Sequence, residues 1–194
     1  MAPPRSPAEA KATEVLQRAR EESVALGEQW DAYNVDVELL AAILFDLGVQ
    51  QVPDLRVGER EYAGFLDGDA GLVVVEETHH EHRRRFSIAH EVGHYVLHYL
   101  PRTAPVGVFA CTSRDMETDA VPARESAARL LHCRREVEAN LFAGELLMPA
   151  PSVAAMHKVT GGQVGKLARH FNVSARAMEI RLTRLGLPFS PILR

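Results

Sequence analysis

The stretch that most constrains the fold is LVVVEETHHEHRRRFSIAHEVGHYVLH, residues 72–98, where a β-prone run leads directly into a helical one that carries ionisable groups. VVVEE is dense in β-branched residues and reads as a strand. After the polar run THHEHRRR, the residues Phe86, Ile88, Ala89, Val92, Val96 and Leu97 recur at helical spacing. A strand followed so closely by an amphipathic helix places that helix over a sheet, so that His90, Glu91 and His94 face a cleft and not bulk water.

The rest of the chain supplies the partners. At 194 residues it holds one domain with a real core, or one domain and a small appendage. Residues 1–7 are proline-rich and read as a frayed, disordered leader. Helical spacing of Val15, Leu16 and Ala19 predicts a helix over about 7–28. VDVELLAAILFDLG predicts a second, capped by Asn34 or Asp36 and ended by Gly48 in a left-handed position. VQQVPDLRV reads as an extended segment whose Pro53 marks an edge. EYAGFLDGDAGLVVVEE reads as two strands about an Asp-Gly-Asp-Ala-Gly turn. The expected fold is therefore α+β: a small antiparallel sheet of about three strands packed with several helices.

Residues 101–123 show no periodicity and read as a long loop, functional or mobile. The helical pattern returns from Arg124 to Leu147 and stops before Pro149. Three shorter helices follow, at about 152–159 capped by Ser152, at 162–171, and at 174–185 capped by Ser174. The last two look like a helix-turn-helix. The layout expected is a leader over 1–7, N-terminal helices over 8–48, a core over 49–150, and a helical C-terminal region over 151–194 packed on that core.

A formal net charge of −4 gives no global attraction to nucleic acid or to anionic membrane. No signal-peptide pattern opens the chain and no apolar run approaches the ~18 residues of a spanning helix, so the expected location is the cytoplasm. There Cys111 and Cys133 are expected to be free thiols.

On a helix, residues four apart lie about 40° apart around the axis, so His90 and His94 project side by side and can share one cation. Glu91 is turned by about 100° from His90, near enough to act on a water there without binding in the same plane. Gly93, inside the motif, costs ~1 kcal/mol of helix propensity. Its missing side chain lets another segment approach. Downstream, RREVEANLFAGELLMP places Glu136, Glu138, Asn140 and Glu145 on a helix that buries Val137, Leu141, Phe142, Leu146 and Leu147. A catalytic zinc takes three protein ligands and keeps a fourth position for water. Glu136 is the best third ligand, because Asn140 follows one turn later, where its amide oxygen can accept the other ring N–H of a liganding histidine. His98 and Cys133 are rivals for that place. Glu138 and Glu145 read as a solvated face.

Three segments carry a family resemblance: R-R-F-S-I-A-H-E-V-G-H-Y at 84–95, E-V-E-A-N-L-F-A-G-E-L-L-M-P at 136–149, and L-A-R-H-F-N-V-S-A-R-A-M-E-I-R-L-T-R-L-G at 167–186. With the strand before them, the chain over about 60–190 resembles the ImmA/IrrE family of metallopeptidases. The resemblance implies a zincin-like core with Zn2+ bound by His90, His94 and Glu136, Glu91 as the catalytic glutamate, and Asn140 matching the family's usual asparagine. It also implies a protein substrate, a helix-turn-helix transcriptional repressor, cleaved inside the cell. A donor for the tetrahedral oxyanion is sought among Tyr95, Tyr99, His98 and the loop residues. Neither direct DNA binding nor membrane association is expected. The histidine-rich loop 79–82 falls outside the resemblance. The rival reading is a DNA-binding regulator that uses Arg176, Arg181 and Arg184 of the C-terminal helices, with a structural or degenerate metal site.

Overall fold

Strand β5 (Leu72–Glu76) is the centre around which the sheet is built: Val73 and Val75 are fully buried, as alternation along a β-branched run demands. A computed structural model describes residues 5–57, 59–102, 108–112 and 126–190. Two compact units make it up, one of residues Val37–Ala143 and one of Met1–Asp36 with Gly144–Arg194.

In the first unit, β1 (Gly48–Val52), β5, β4 (Gly64–Asp67) and β6 (Val108–Cys111) form a four-stranded sheet in the order β1-β5-β4-β6. A separate two-stranded ribbon joins β2 (Arg56–Val57) to β3 (Arg60–Glu61). The turn from β4 to β5 is the predicted Asp-Gly-Asp-Ala-Gly. The Asp67 carboxylate accepts from the backbone N–H of Asp69 and Ala70 at 3.1 and 2.9 Å, and Gly71 takes a φ of +64°. Two expectations are corrected. The sheet is mixed, because β5 and not β4 lies beside β1, and two reversals of direction make that pair parallel. It also has a fourth strand, β6, antiparallel to β4 and cut from the segment read as loop. Four residues are too few to display a period. Residues 103–107 and 113–125, which include most of that segment and the helix start expected at Arg124, lie outside the described residues.

Helix α2 (Val37–Phe45) ends earlier than its sequence suggests: Asp46 takes the left-handed conformation (φ +53°), and Gly48 instead opens β1. Helix α3 (Glu81–His94) lies against β4 and β5 through Ile88, Ala89 and Val92. Its start is fixed by His80, whose Nδ1 accepts from the His82 N–H at 3.2 Å. The preceding loop is pinned by Glu76, whose carboxylate accepts from Leu55 N (2.6 Å), Thr78 Oγ1 (2.7 Å), Thr78 N (3.0 Å) and Asp54 N (3.3 Å). The Leu55 amide above all, with the Thr78 hydroxyl, holds its pKa down to about 2 despite burial. Beyond His94 the chain widens into a π-helical turn, Tyr95–Tyr99.

Helix α4 (Ala127–Leu147) crosses α3 at Gly93. A Cβ on Gly93 would meet Phe142 Cδ1 at 3.2 Å and both Cα and the carbonyl oxygen of Ala139 at 3.3 Å. The glycine therefore lets the two backbones touch, as its place in the motif predicts.

The second unit is helical: α1 (Pro7–Ala25), α5 (Ala150–Thr160), α6 (Val164–His170) and α7 (Ala175–Leu185), with the last turn of α4. Ser6 and Glu9 form a capping box at the start of α1, and residues 1–4 of the expected leader lie outside the described residues. Ser174 caps α7 as predicted, accepting from Ala177 N at 3.1 Å. Ser152 does not cap α5, which already begins at Ala150 after Pro149. Glu145 is the larger correction. It is buried and not solvated, and it pairs with Arg181, itself buried and bonded to Glu9 (3.0 Å) and to the Met148 carbonyl (3.0 Å). Arg184 adds two bonds to Glu9, at 2.8 and 3.0 Å. Burial raises the Glu9 pKa, but the Arg184 contact and the Ser6 bonds outweigh it and hold the group at about 2.

Candidate metal centre

The crossing of α3 and α4 brings together the side chains that their spacing singles out. His90 and His94, one turn apart on α3, present their Nε2 atoms to each other at 3.0 Å. From α4, Glu136 places Oε2 3.2 Å from His90 Nε2 and Oε1 3.4 Å from His94 Nε2. All three side chains are buried. Asn140, one turn beyond Glu136, has Oδ1 2.8 Å from His90 Nδ1. An amide oxygen only accepts, so the His90 proton sits on Nδ1 and the Nε2 lone pair points into the cluster. That lone pair meets a second ring nitrogen and a carboxylate, a repulsive arrangement that a shared cation removes.

The His94 ring is held differently. Its Nδ1 is buried with no hydrogen-bond partner among the described residues, while Phe109 of β6 stacks on the ring at 4.9 Å between centroids and 19° between planes. Burial lowers the His94 pKa to about 4, against the pull of Glu136, so at neutral pH it is an uncharged nitrogen donor.

A fourth donor was not foreseen. Cys111, at the end of β6, places Sγ 3.3 Å from His94 Nε2, and the ligand atoms of His90, His94, Cys111 and Glu136 all lie within 4.8 Å of one another. The cysteine weighed from the sequence, Cys133, is buried but outside this set. The missed signal was VFAC itself, a short apolar β-prone run inside an aperiodic segment. A tetrahedral zinc bound at about 2.0 Å to nitrogen and 2.3 Å to sulfur sets N···N edges of about 3.3 Å and S···N edges of about 3.5 Å. The His90–His94, His90–Glu136, His94–Glu136 and His94–Cys111 spacings match those edges to a few tenths of an ångström, so these residues fit such an ion.

Glu91 is fully buried on the same helix turn. Its carboxylate lies against β4 where that strand has no side chain: a Cβ on Gly64 would stand 2.5 Å from Glu91 Oε1. Gly64 is also the register partner of Cys111, so one rung of the sheet receives both the glutamate and the thiol.

His98 does not join the donors. Its Nε2 lies 3.3 Å from the Arg135 carbonyl oxygen, and burial lowers its pKa. Tyr95 and Tyr99 stack on each other at 5.1 Å. The Tyr99 hydroxyl donates to Asp69 at 2.8 Å, over the β4–β5 turn. Glu138 is partly exposed and accepts from Arg134 at 3.1 Å, as a solvated face should. His132, one turn before Glu136, stands 3.6 Å from its Oε1 and is half exposed.

Residues 51–183 match the family model of the IrrE N-terminal-like domain, Peptidase_M78. No curated protein matches the chain at a significant level. Among solved structures, a Mycobacterium tuberculosis transcriptional regulator is similar, at 19% sequence identity and a TM-score of 0.56, over 92% of this chain and 49% of that one. Identity this low speaks to the fold alone, and the chain spans about half the length of that regulator. Among the described residues no helix is long and apolar enough to cross a membrane.

Proposed function

We propose a metal-dependent endopeptidase, on the premise that the chain belongs to the IrrE N-terminal-like family, Peptidase_M78. The observation that carries the reading is the meeting of two imidazole Nε2 atoms and one carboxylate from two crossing helices, with Glu91 buried in the turn between the histidines. His90, His94 and Glu136 would hold Zn2+, the ion suited to two neutral nitrogens and a carboxylate in tetrahedral spacing. Bound there, zinc acidifies a water molecule and polarises a peptide carbonyl.

The remaining work falls to the chain. Glu91 takes a proton from the attacking water as the new C–O bond forms, then delivers it to the amide nitrogen as the C–N bond breaks. Asn140 keeps the His90 ring in the tautomer that leaves Nε2 free to bind. Phe109 keeps the His94 ring in plane. The substrate class is a helix-turn-helix repressor, as the ImmA/IrrE resemblance implies, and the place of action is the cytoplasm.

The alternative is a DNA-binding regulator with a structural metal site, and the Cys111 thiol as a fourth donor favours its second half. Its first half is weakened at α7: Arg181 is buried and Arg184 is bonded to Glu9, which leaves Arg176 as the exposed member of the three. The test is Glu91→Gln. It should keep about one zinc per chain and lose about 10²–10⁴ in peptide hydrolysis, and in cells it should retain uncut the protein that the parent cleaves. Equal cleavage by both forms would end the peptidase reading. His94→Ala, which should lose the metal, tests the ligand set separately.

A further inference from the structure

The centre has the marks of two kinds of metal site. Four protein donors close a tetrahedron, which is how structural zinc is held, whereas a catalytic zinc keeps one position for water. Yet a closed structural site has no use for a buried glutamate on the ligand helix. We infer that Cys111 is a fourth ligand in the resting protein, so that the centre is shut and the water position opens only when the thiolate leaves.

The inference rests on the peptidase reading and adds its regulation. It starts from where the donors are mounted. His90, His94 and Glu136 stand on two helices that touch at Gly93 and Ala139 and cannot separate without loss of packing. Cys111 stands on β6, the last strand of the sheet, paired with β4 alone in the strand order. The backbone at that point is tied by the Ala63 N–H, which donates to the Cys111 carbonyl at 2.8 Å. Phe109, two residues earlier and so on the same face, stacks on His94. The strand thus presents two side chains to one imidazole, a ring that fixes its plane and a thiol 3.3 Å from its Nε2. A shift of β6 moves the sulfur and leaves the three helical donors where they are. The exchange would be a ligand substitution without change of oxidation state: the Cys111 sulfur would leave with its electron pair and take a proton from solvent, and a water would fill the vacated place.

Cobalt(II) reads this directly, because thiolate coordination adds a near-ultraviolet charge-transfer band to the visible bands of a tetrahedral ion. The full chain loaded with Co2+ should show both. Cys111→Ala and Cys111→Ser should lose the charge-transfer band and keep the visible ones, and Cys133→Ser should keep both. With zinc, the two Cys111 variants should cleave substrate several-fold faster than the parent, while Glu91→Gln remains inactive. Visible bands without a charge-transfer band in the parent would overturn the inference and leave the metal centre standing. A charge-transfer band lost in Cys133→Ser would overturn it equally. Cobalt lost from both Cys111 variants, with no gain in cleavage, would mark a closed structural site and overturn the gate. Absence of every cobalt band in the parent would remove the metal reading and the gate together.

Discussion

Each unit of the protein buries a cluster of several ionisable side chains, and the two are built on opposite rules. Around Arg181, two carboxylates meet two guanidinium groups: both oxygens of Glu9 and both of Glu145 accept hydrogen bonds, and Arg181 donates to Glu9, Glu145 and Met148. Charge is balanced and donors face acceptors. Around His90, lone pairs face lone pairs: two ring nitrogens, a carboxylate and a thiol. Burial of either kind is costly without compensation, and only the first supplies its own. A balanced buried cluster is architecture; one whose members all offer lone pairs is a place for a cation.

The comparison can be broken most forcefully at Arg181. Arg181→Leu leaves Glu9 and Glu145 buried without their common partner and should cost about 3–5 kcal/mol, measured by urea unfolding. The metal content of the folded fraction should not change. A cost below about 1 kcal/mol would mean that the cluster is not the internal lock described.

Acid should weaken the same cluster next. The Glu9 pKa in the folded protein, about 2, lies below the ~4.3 of an unfolded glutamate. Its contribution is therefore complete above the unfolded value and is lost as pH falls through about 4 toward 2; it is on the order of 3 kcal/mol at neutrality. Stability measured from pH 6 downward should fall in that window, and Glu9→Gln should flatten the curve. Glu76, also held at about 2, contributes with the same sign.

Two smaller effects sharpen the other side. Asn140→Ala removes the acceptor that fixes the His90 tautomer and should weaken metal binding about 10- to 100-fold in a chelator competition, with little change in thermal unfolding. Gly93→Ala gains ~1 kcal/mol of helix propensity but forces α3 and α4 apart at contacts of 3.2 and 3.3 Å, an overpacking worth about 1–3 kcal/mol. The net loss, about 1 kcal/mol, should appear with weaker zinc retention.

The sequence was most legible where the pattern is local. His90, Glu91 and His94 share a helix turn, Glu136 and Asn140 share another, and Gly93 announces a close approach by being a poor helix former. The α+β class followed from two clear periods. What stayed hidden depends on pairing across the chain. Glu145 looked solvated because its partner Arg181 lies 36 residues on and shares the far-off Glu9. Cys111 looked like an ordinary thiol in a loop because its register with Gly64 is a property of the sheet and not of VFAC. The parallel β1–β5 pair was hidden for the same reason: strand order has no local signature.

Gly64 also sets a tolerance. With 2.5 Å between a would-be Cβ and Glu91 Oε1, one added methyl is enough to evict the carboxylate by bulk alone. On the peptidase reading, Gly64→Ala should abolish hydrolysis while every ionisable group and every ligand atom stays in the chain. On that reading it offers a charge-neutral way to trap an uncut substrate, from a strand that carries no chemistry of its own.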